Sequence, residues 1–159
     1  MIPTWSTEIV SERDPVRALI DDRLLIDELL LGLNLDADEI WTTSYWYHRA
    51  CRAATLGARG YLSGPFERLP PERHGAAIRS LLELPETISI GEPRRVVPVM
   101  AALSERHPQL NLLNLEAASA AIHLGATVLL SPTTAKGVLP PVLDAEGIPY
   151  VVIGPSTPG

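Results

Sequence analysis

The sequence predicts an α/β protein, a three-layer α/β/α sandwich around a mostly parallel sheet of about five strands. Short β-branched and apolar runs alternate along the chain with stretches of helical length and helical spacing. The chain has 159 residues, 46% of them hydrophobic, and shows no internal repeat, which favours one domain with a real core. Regular alternation of strands and helices is typical of a parallel sheet covered on both faces.

The first predicted strand is VRALI, residues 16–20, which follows an N-terminal tail at 1–15. The strand ends at Asp21 and Asp22, and aspartate is a favoured residue at the start of a helix. The next stretch, 23–33, has leucines near helical spacing and is predicted to be a helix.

The run EIWTT, residues 39–43, is β-branched and aromatic and is predicted to be the second strand. Ser44 suits the N-cap of a helix at 45–57, and Gly57 suits the end of that helix. A turn, GYLSGP, follows at 60–65.

A third helix is predicted at 70–85, because the segment starts on two prolines and stops before another. The alternating run TISIG, 87–91, is the third strand. The segment 94–108 is predicted to be a helix that tolerates Pro98 only in its first turn.

The last third of the chain has the clearest pattern. It predicts a helix at 114–124, a buried strand at 126–131, a helix at 135–146 and a strand at 148–153. The domain therefore spans 16–153, and 154–159 is a C-terminal tail.

Net charge disfavours one class of function, and cysteine content excludes certain sites. The formal net charge is −6, which argues against sequence-independent binding of nucleic acid through its phosphates. The single cysteine, Cys51, excludes an intrachain disulfide and a cysteine-based zinc site. No secretory signal and no stretch of about 20 apolar residues is present, so we expect a cytoplasmic protein without a membrane span.

Ligand sites of open parallel sheets lie at the carboxyl ends of the strands. In this sequence that rule selects Asp21 and Asp22, the helix after Thr43, the helix start at Asn114, and the turn at 131–134. These segments are therefore the candidate site.

Three segments resemble the PIN domain, the fold of toxin ribonucleases in bacterial toxin–antitoxin pairs. They are LIDDRLLIDELL, IWTTSYWYHRACRAA and NLEAASAAIHLGATVLLSPTTAKGVLPPVLDAEGIPYVVI. The resemblance covers roughly residues 16–153 and is strongest in the last third. It implies metal-dependent RNA hydrolysis, in which several carboxylates hold Mg²⁺ or Mn²⁺ and the ion activates a water molecule.

The resemblance places the acidic site of the family on four positions of this chain. The acid after the first strand falls on Asp21, with Asp22 beside it. The acid on the helix after the second strand falls on Arg49, the acid that opens the helix before LGA falls on Asn114, and the acid after the fourth strand falls on Thr133. A full metal cage is therefore missing, and Asp21 and Asp22 remain the weak metal candidates.

The resulting hypothesis is a PIN-like protein without a cofactor and without catalysis, which acts through contacts with protein or RNA. In this hypothesis the Arg49 guanidinium takes the place of a metal ion, pairs with Asp21 and bonds to Asn114. The alternative is a ribonuclease that depends on Mg²⁺ or Mn²⁺ and uses acids at other positions. Glu116 points away from Asn114 on its helix, and Asp27 and Glu28 lie far from the strand end.

The candidate partners are a second copy of the chain in a homodimer, an antitoxin-like protein or RNA. An aromatic group at Trp41, Trp46 and Tyr47 is read either as core or as a dimer interface, because aromatic residues are enriched in such interfaces.

Overall fold

The computed structural model describes residues 13–56 and 69–154. Within these ranges five strands form one sheet: β1 (Arg17–Ile20), β2 (Glu39–Thr42), β3 (Ile88–Ile90), β4 (Thr127–Leu130) and β5 (Tyr150–Val152). Seven helices accompany them: α1 (Asp22–Leu31), α2 (Ser44–Leu56), α3 (Pro71–Leu82), α4 (Pro93–Arg106), α5 (Leu112–Leu124), α6 (Pro132–Ala135) and α7 (Leu139–Ala145).

The sheet has the strand order β3-β2-β1-β4-β5, and every neighbouring pair is parallel. The central strand is β1, in which Leu19 lies opposite Trp41 of β2 and Val128 of β4. The chain leaves β1 towards β2 on one side, whereas it leaves β4 towards β5 on the other. The predicted α/β sandwich with a parallel five-stranded sheet is confirmed.

Two apolar cores cover the two faces of the sheet. Adjacent residues of β1 point to opposite faces, so that Leu19 belongs to one core and Ile20 to the other. The core around Leu19 is built mainly from α4, α5, α7 and β4. The core around Ile20 is built from α1, α2, α3 and β3. The helix layers predicted on both faces are therefore present.

The region after β4 differs from the prediction of one helix at 135–146. The structure has a single helical turn, α6, followed by the separate helix α7. Pro140 and Pro141 lie in the first turn of α7, where a backbone N–H has no acceptor within the helix, whereas inside one helix at 135–146 each proline would remove a backbone hydrogen bond. The turn predicted at 131–134 is also helical in the structure, so that Thr133 lies in α6.

Two helix starts also differ from the predictions. The side chain of Asn111, not Asn114, caps α5, and it accepts the backbone N–H of Asn114. At α2 the hydroxyl of Thr43 accepts the N–H of Trp46, whereas Ser44 is the first helical residue. Thr43 and Ser44 both carry a hydroxyl that can cap a helix start, and the structure uses that of Thr43.

The aromatic group is part of the core. Trp46 is 1% exposed within the core around Leu19, Trp41 packs against the same core, and Tyr47 packs against the other one. The core interpretation is therefore confirmed for these three side chains, and the dimer stays a prediction. The predicted features at Gly57 and at 60–65, and most of both tails, fall outside the described residues. In the described part of the chain no helix has the length and apolar character of a membrane span.

Candidate functional site at the strand ends

The carboxyl ends of β1 and β4 meet where the connections of the sheet change direction. In open α/β sheets this switch point is the usual ligand crevice. Here Asp21 follows β1 and Ser131 follows β4, and their side chains join the two strand ends. The Oδ2 atom of Asp21 accepts the Ser131 backbone N–H at 2.7 Å and the Ser131 hydroxyl at 2.6 Å. The crevice is therefore closed by hydrogen bonds at this point.

The other carboxylate oxygen of Asp21 caps α1. Its Oδ1 atom accepts the backbone N–H of Leu24 at 2.9 Å, which satisfies a donor that the helix start leaves without a partner. Asp21 is 0% exposed and Ser131 is 1% exposed. The predicted capping by this aspartate is confirmed, and the carboxylate serves as a structural clamp between β1, α1 and β4.

Arg49 forms its ion pair with Asp22 and not, as predicted, with Asp21. The Nε atom of Arg49 lies 3.1 Å from Oδ2 of Asp22, while Oδ1 of Asp22 accepts the N–H of Arg23. Asp21 and Asp22 are adjacent at a helix start, where consecutive side chains diverge by about 100°. Asp21 turns towards Ser131 of β4, so that Asp22 is the carboxylate that faces α2.

The ion pair is only partly shielded from solvent. The side chain of Asp22 is 4% exposed, whereas that of Arg49 is 44% exposed. Burial, reinforced by the neighbouring carboxylate of Asp21, raises the pKa of Asp22 to about 6, although the Arg49 guanidinium acts to lower it. The pair therefore offsets only part of the cost of burying the Asp22 charge.

Asp22 and Arg49 lie at one wall of a cleft of about 220 Å³ at the carboxyl edge of the sheet. Three of the four predicted site positions, Arg49, Asn114 and Thr133, line this cleft, and Asp21 lies behind Asp22 at the end of β1. The lining is polar on most sides: Asp22, Trp46, Arg49, Asn111, Leu113, Asn114, Thr133, Thr134, Gly137 and Val138. The sequence rule for the strand ends thus selects residues that the fold brings together.

These residues do not fit a divalent metal ion. Mg²⁺ requires several hard oxygen ligands around it, and a carboxylate is its usual protein ligand. Among the described residues that line the cleft, the one carboxylate is that of Asp22, which is paired with the Arg49 cation, and Asp21 accepts three N–H or O–H donors. Across residues 13–56 and 69–154, no group of three or more His, Cys, Asp or Glu side chains is placed so that it could hold a metal ion.

Glu116 has a role that the sequence did not indicate. Its carboxylate accepts the Ser44 hydroxyl and, at 2.9 Å, the backbone N–H of Tyr45. Both donors belong to the first turn of α2, where the positive end of the helix dipole favours a carboxylate. Glu116 thereby ties α5 to the start of the helix that carries Arg49. No local signal could reveal this contact, because the partners are 72 residues apart.

We expect Glu116→Ala to lower the free energy of unfolding by about 1 kcal/mol, since two hydrogen bonds at a helix start are lost at a partly exposed site. Glu116→Gln keeps an acceptor and should lose less. Urea unfolding at pH 7 measures both, with Glu86→Ala, an exposed glutamate outside any helix, as the control. An alanine variant as stable as the wild-type protein would contradict this role for Glu116.

A second, larger cavity of about 480 Å³ lies on the other side of Thr133, between α1 and the ends of β4 and β5. Arg23 and Asp27 are its charged lining residues within the described chain, beside Ser131 and Ile153. Asp27 thus shares this cavity with Ser131, the residue after β4, but does not line the cleft that holds Asp22 and Arg49. Glu28 is bonded to the N–H of Leu33 and serves the end of α1, away from the site as expected.

Comparison with family models and with curated proteins supplies no relative from which a role for this site could be taken. No model of a known protein family matches the sequence, and the curated proteins contain no significant match to it. The resemblance to PIN domains therefore stays a prediction from the quoted segments, and functional conclusions depend on the site itself.

Proposed function

We propose that this chain is a PIN-like domain that acts by contact and not by metal-dependent catalysis. The observation that carries the proposal is the ion pair of Arg49 with Asp22 at the strand ends, where the resemblance implies a cluster of acids. A guanidinium in the cleft repels a divalent cation, and Asn114 and Thr133 supply neutral groups where further carboxylates would be needed.

A single observation favours the alternative, a ribonuclease that depends on Mg²⁺ or Mn²⁺. Burial is the main cause that raises the pKa of Asp22, the neighbouring carboxylate of Asp21 raises it further, and a bound cation would relieve the repulsion between the two carboxylates. Such an ion would have to displace Arg49 from Asp22 before any water or phosphate could bind to it. The alternative therefore predicts metal affinity in the wild-type protein, which the proposal does not.

Titration with Mg²⁺ and Mn²⁺ followed by calorimetry, beside an RNA cleavage assay, tests the proposal. We expect no saturable heat, no increase in melting temperature and no divalent-dependent cleavage for the wild-type protein. Arg49→Glu serves as the matched positive control, since it places a second carboxylate next to Asp22 and should create affinity for Mn²⁺.

If the wild-type protein binds metal and cleaves RNA, and Asp22→Ala does neither, the result would support the alternative function as a ribonuclease and contradict the proposal. Cleavage that persists in Asp22→Ala would point to a contaminating nuclease. Both proteins should then be purified further, until the contaminant is removed, before they are compared.

Among the proposed partners, a protein is favoured over RNA. The formal charge of −6 opposes binding of a polyanion, and Arg49 is the single cationic lining residue of the cleft among those that the structure describes. Apolar side chains are exposed near the same edge: Tyr45 is 38%, Leu112 is 56% and Val138 is 54% exposed. Exposed aromatic and aliphatic groups are typical of protein contacts, so an antitoxin-like protein or a second copy of the chain fits this edge better.

A further inference from the structure

We propose that the cleft between α2, α5 and α6 binds a single phosphate group carried by a small molecule. The proposal depends on the polar groups that line the cleft and not on the identity of a protein or RNA partner. It therefore goes beyond the proposed function and can fail separately from it.

The lining offers the chemistry that an oxyanion requires. Arg49 contributes a guanidinium that carries five N–H donors and pairs well with phosphate. Asn111 and Asn114 bring amides that can donate from the first turn of α5, and the positive end of a helix dipole also favours an anion there. Thr133 adds a hydroxyl from α6, whereas the hydroxyl of Thr134 donates at 3.2 Å to that of Ser131, which itself donates to Asp21. Hydrogen-bond donors thus come from three separate helices.

The charge of the cleft also suits an anion better than a cation. The Nε atom of Arg49 contacts Asp22. The side chain of Arg49 is 44% exposed, whereas that of Asp22 is almost fully buried. A ligand that enters the cleft therefore meets the cation before it meets the carboxylate. Asp22 weakens the attraction without blocking it, and the carboxylate of Glu116 is turned towards the first turn of α2.

The size of the cleft limits the ligand. Pockets that enclose drug-sized molecules have volumes of roughly 300–1,000 Å³, and this cleft has about 220 Å³. It can therefore hold one phosphate group but not a whole nucleotide, and the remainder of a ligand would lie along the rim beside Val138. With Arg49 as the single cationic lining residue of the described chain, the cleft lacks the several phosphate contacts that RNA binding needs.

Calorimetric titration with inorganic phosphate at pH 7.5, repeated with a mononucleotide and an oligoribonucleotide, tests the proposal. We expect saturable one-to-one binding of phosphate to the wild-type protein and at least tenfold weaker binding to Arg49→Gln, because a charge-assisted contact is lost. Arg52→Gln removes the same charge from an exposed position of α2 outside the cleft and should bind within twofold of the wild type.

Two further variants keep the test decisive if Arg49→Gln folds poorly. Thr133→Val, at an exposed position, should weaken phosphate binding several-fold, whereas Asp22→Asn should strengthen it by removing the negative charge of the cleft. The proposal is overturned if phosphate does not saturate, if Arg49→Gln binds as well as the wild type, or if Asp22→Asn binds more weakly. Arg49-dependent binding of the oligoribonucleotide that exceeds that of the mononucleotide would overturn the assignment to a small molecule.

Discussion

Replacing Asp21 by alanine is expected to lower the free energy of unfolding by about 3–5 kcal/mol. The substitution leaves three buried donors without an acceptor, namely the N–H groups of Leu24 and Ser131 and the hydroxyl of Ser131. Each buried donor without a partner costs about 1–3 kcal/mol, and a lost helix cap costs about 1 kcal/mol. Because domains of this size are typically stable by about 5–15 kcal/mol, the loss is severe. Urea unfolding at pH 7 measures it.

Three control variants define the mechanism of that loss. Asp36→Ala changes an exposed aspartate between α1 and β2 and should alter stability by less than about 0.5 kcal/mol. Ser131→Ala removes one of the donors to Asp21 and should cost less than Asp21→Ala. Asp21→Asn keeps a single acceptor oxygen and should be intermediate. A typical hydrogen bond contributes about 1 kcal/mol. If Asp21→Ala lowers the free energy of unfolding by less than about 1 kcal/mol, the clamp between β1 and β4 does not hold these strand ends together.

Replacing Asp22 by asparagine is expected to stabilise the protein, by up to about 3 kcal/mol above pH 6.5. The pKa of Asp22 is raised from 3.8 to about 6 in the folded state, chiefly by burial, and each pKa unit corresponds to about 1.4 kcal/mol. Between these two pKa values the folded state holds a proton that the unfolded state releases, so this group favours folding at low pH and loses that contribution as the pH rises through 6. Asparagine mimics the protonated form at every pH.

The measurement is the difference in unfolding free energy between Asp22→Asn and the wild type from pH 4 to pH 8. The difference should be close to zero at pH 4 and reach its full value above pH 6.5. The contributions of other titrating groups to the unfolding free energy cancel in this difference, because both proteins contain those groups. In the background of Arg49→Gln the difference should be larger at pH 7.5, since Arg49 lowers the pKa of Asp22. Destabilisation by Asp22→Asn at pH 7.5 would show instead that the ion pair with Arg49 more than offsets the burial of the charge.

These two variants separate adjacent aspartates that the sequence does not distinguish. Both follow β1, both are buried, and both were candidates for the same site. Asp21 is expected to be essential for stability because all its contacts are hydrogen bonds from buried donors. Asp22 is expected to be costly at neutral pH because its main partner, Arg49, is half in solvent.

Much of the fold follows from local pattern. All five strands and the helices α1 to α5 lie within a few residues of their predicted positions, because apolar periodicity and capping residues act over short distances. The exception is the region of α6 and α7, where Pro140 and Pro141 interrupt a segment whose periodicity otherwise continues. A proline pair inside a helical pattern is a sequence signal for such a break.

The candidate site was predictable in its position but not in its contacts. Parallel strands present their carboxyl ends at one edge of the sheet, and this rule suffices to predict that Arg49, Asn114 and Thr133 lie near one another, as they do in the cleft. It cannot say that Arg49 pairs with Asp22, that Asn111 and not Asn114 caps α5, or that Glu116 holds the start of α2. Each of these depends on the direction of a side chain, which changes by about 100° from one helical residue to the next.

By itself the sequence determined the class of fold, the order of its elements and the edge of the sheet where polar groups collect, since these depend on periodicity and chain connectivity. The tertiary structure decided that Asp21 accepts the hydrogen bonds of Ser131, 110 residues away, and that Asp22 faces Arg49. The physical reason is that a charge is buried or paired only by groups brought close in space, and those groups are set by packing between distant segments.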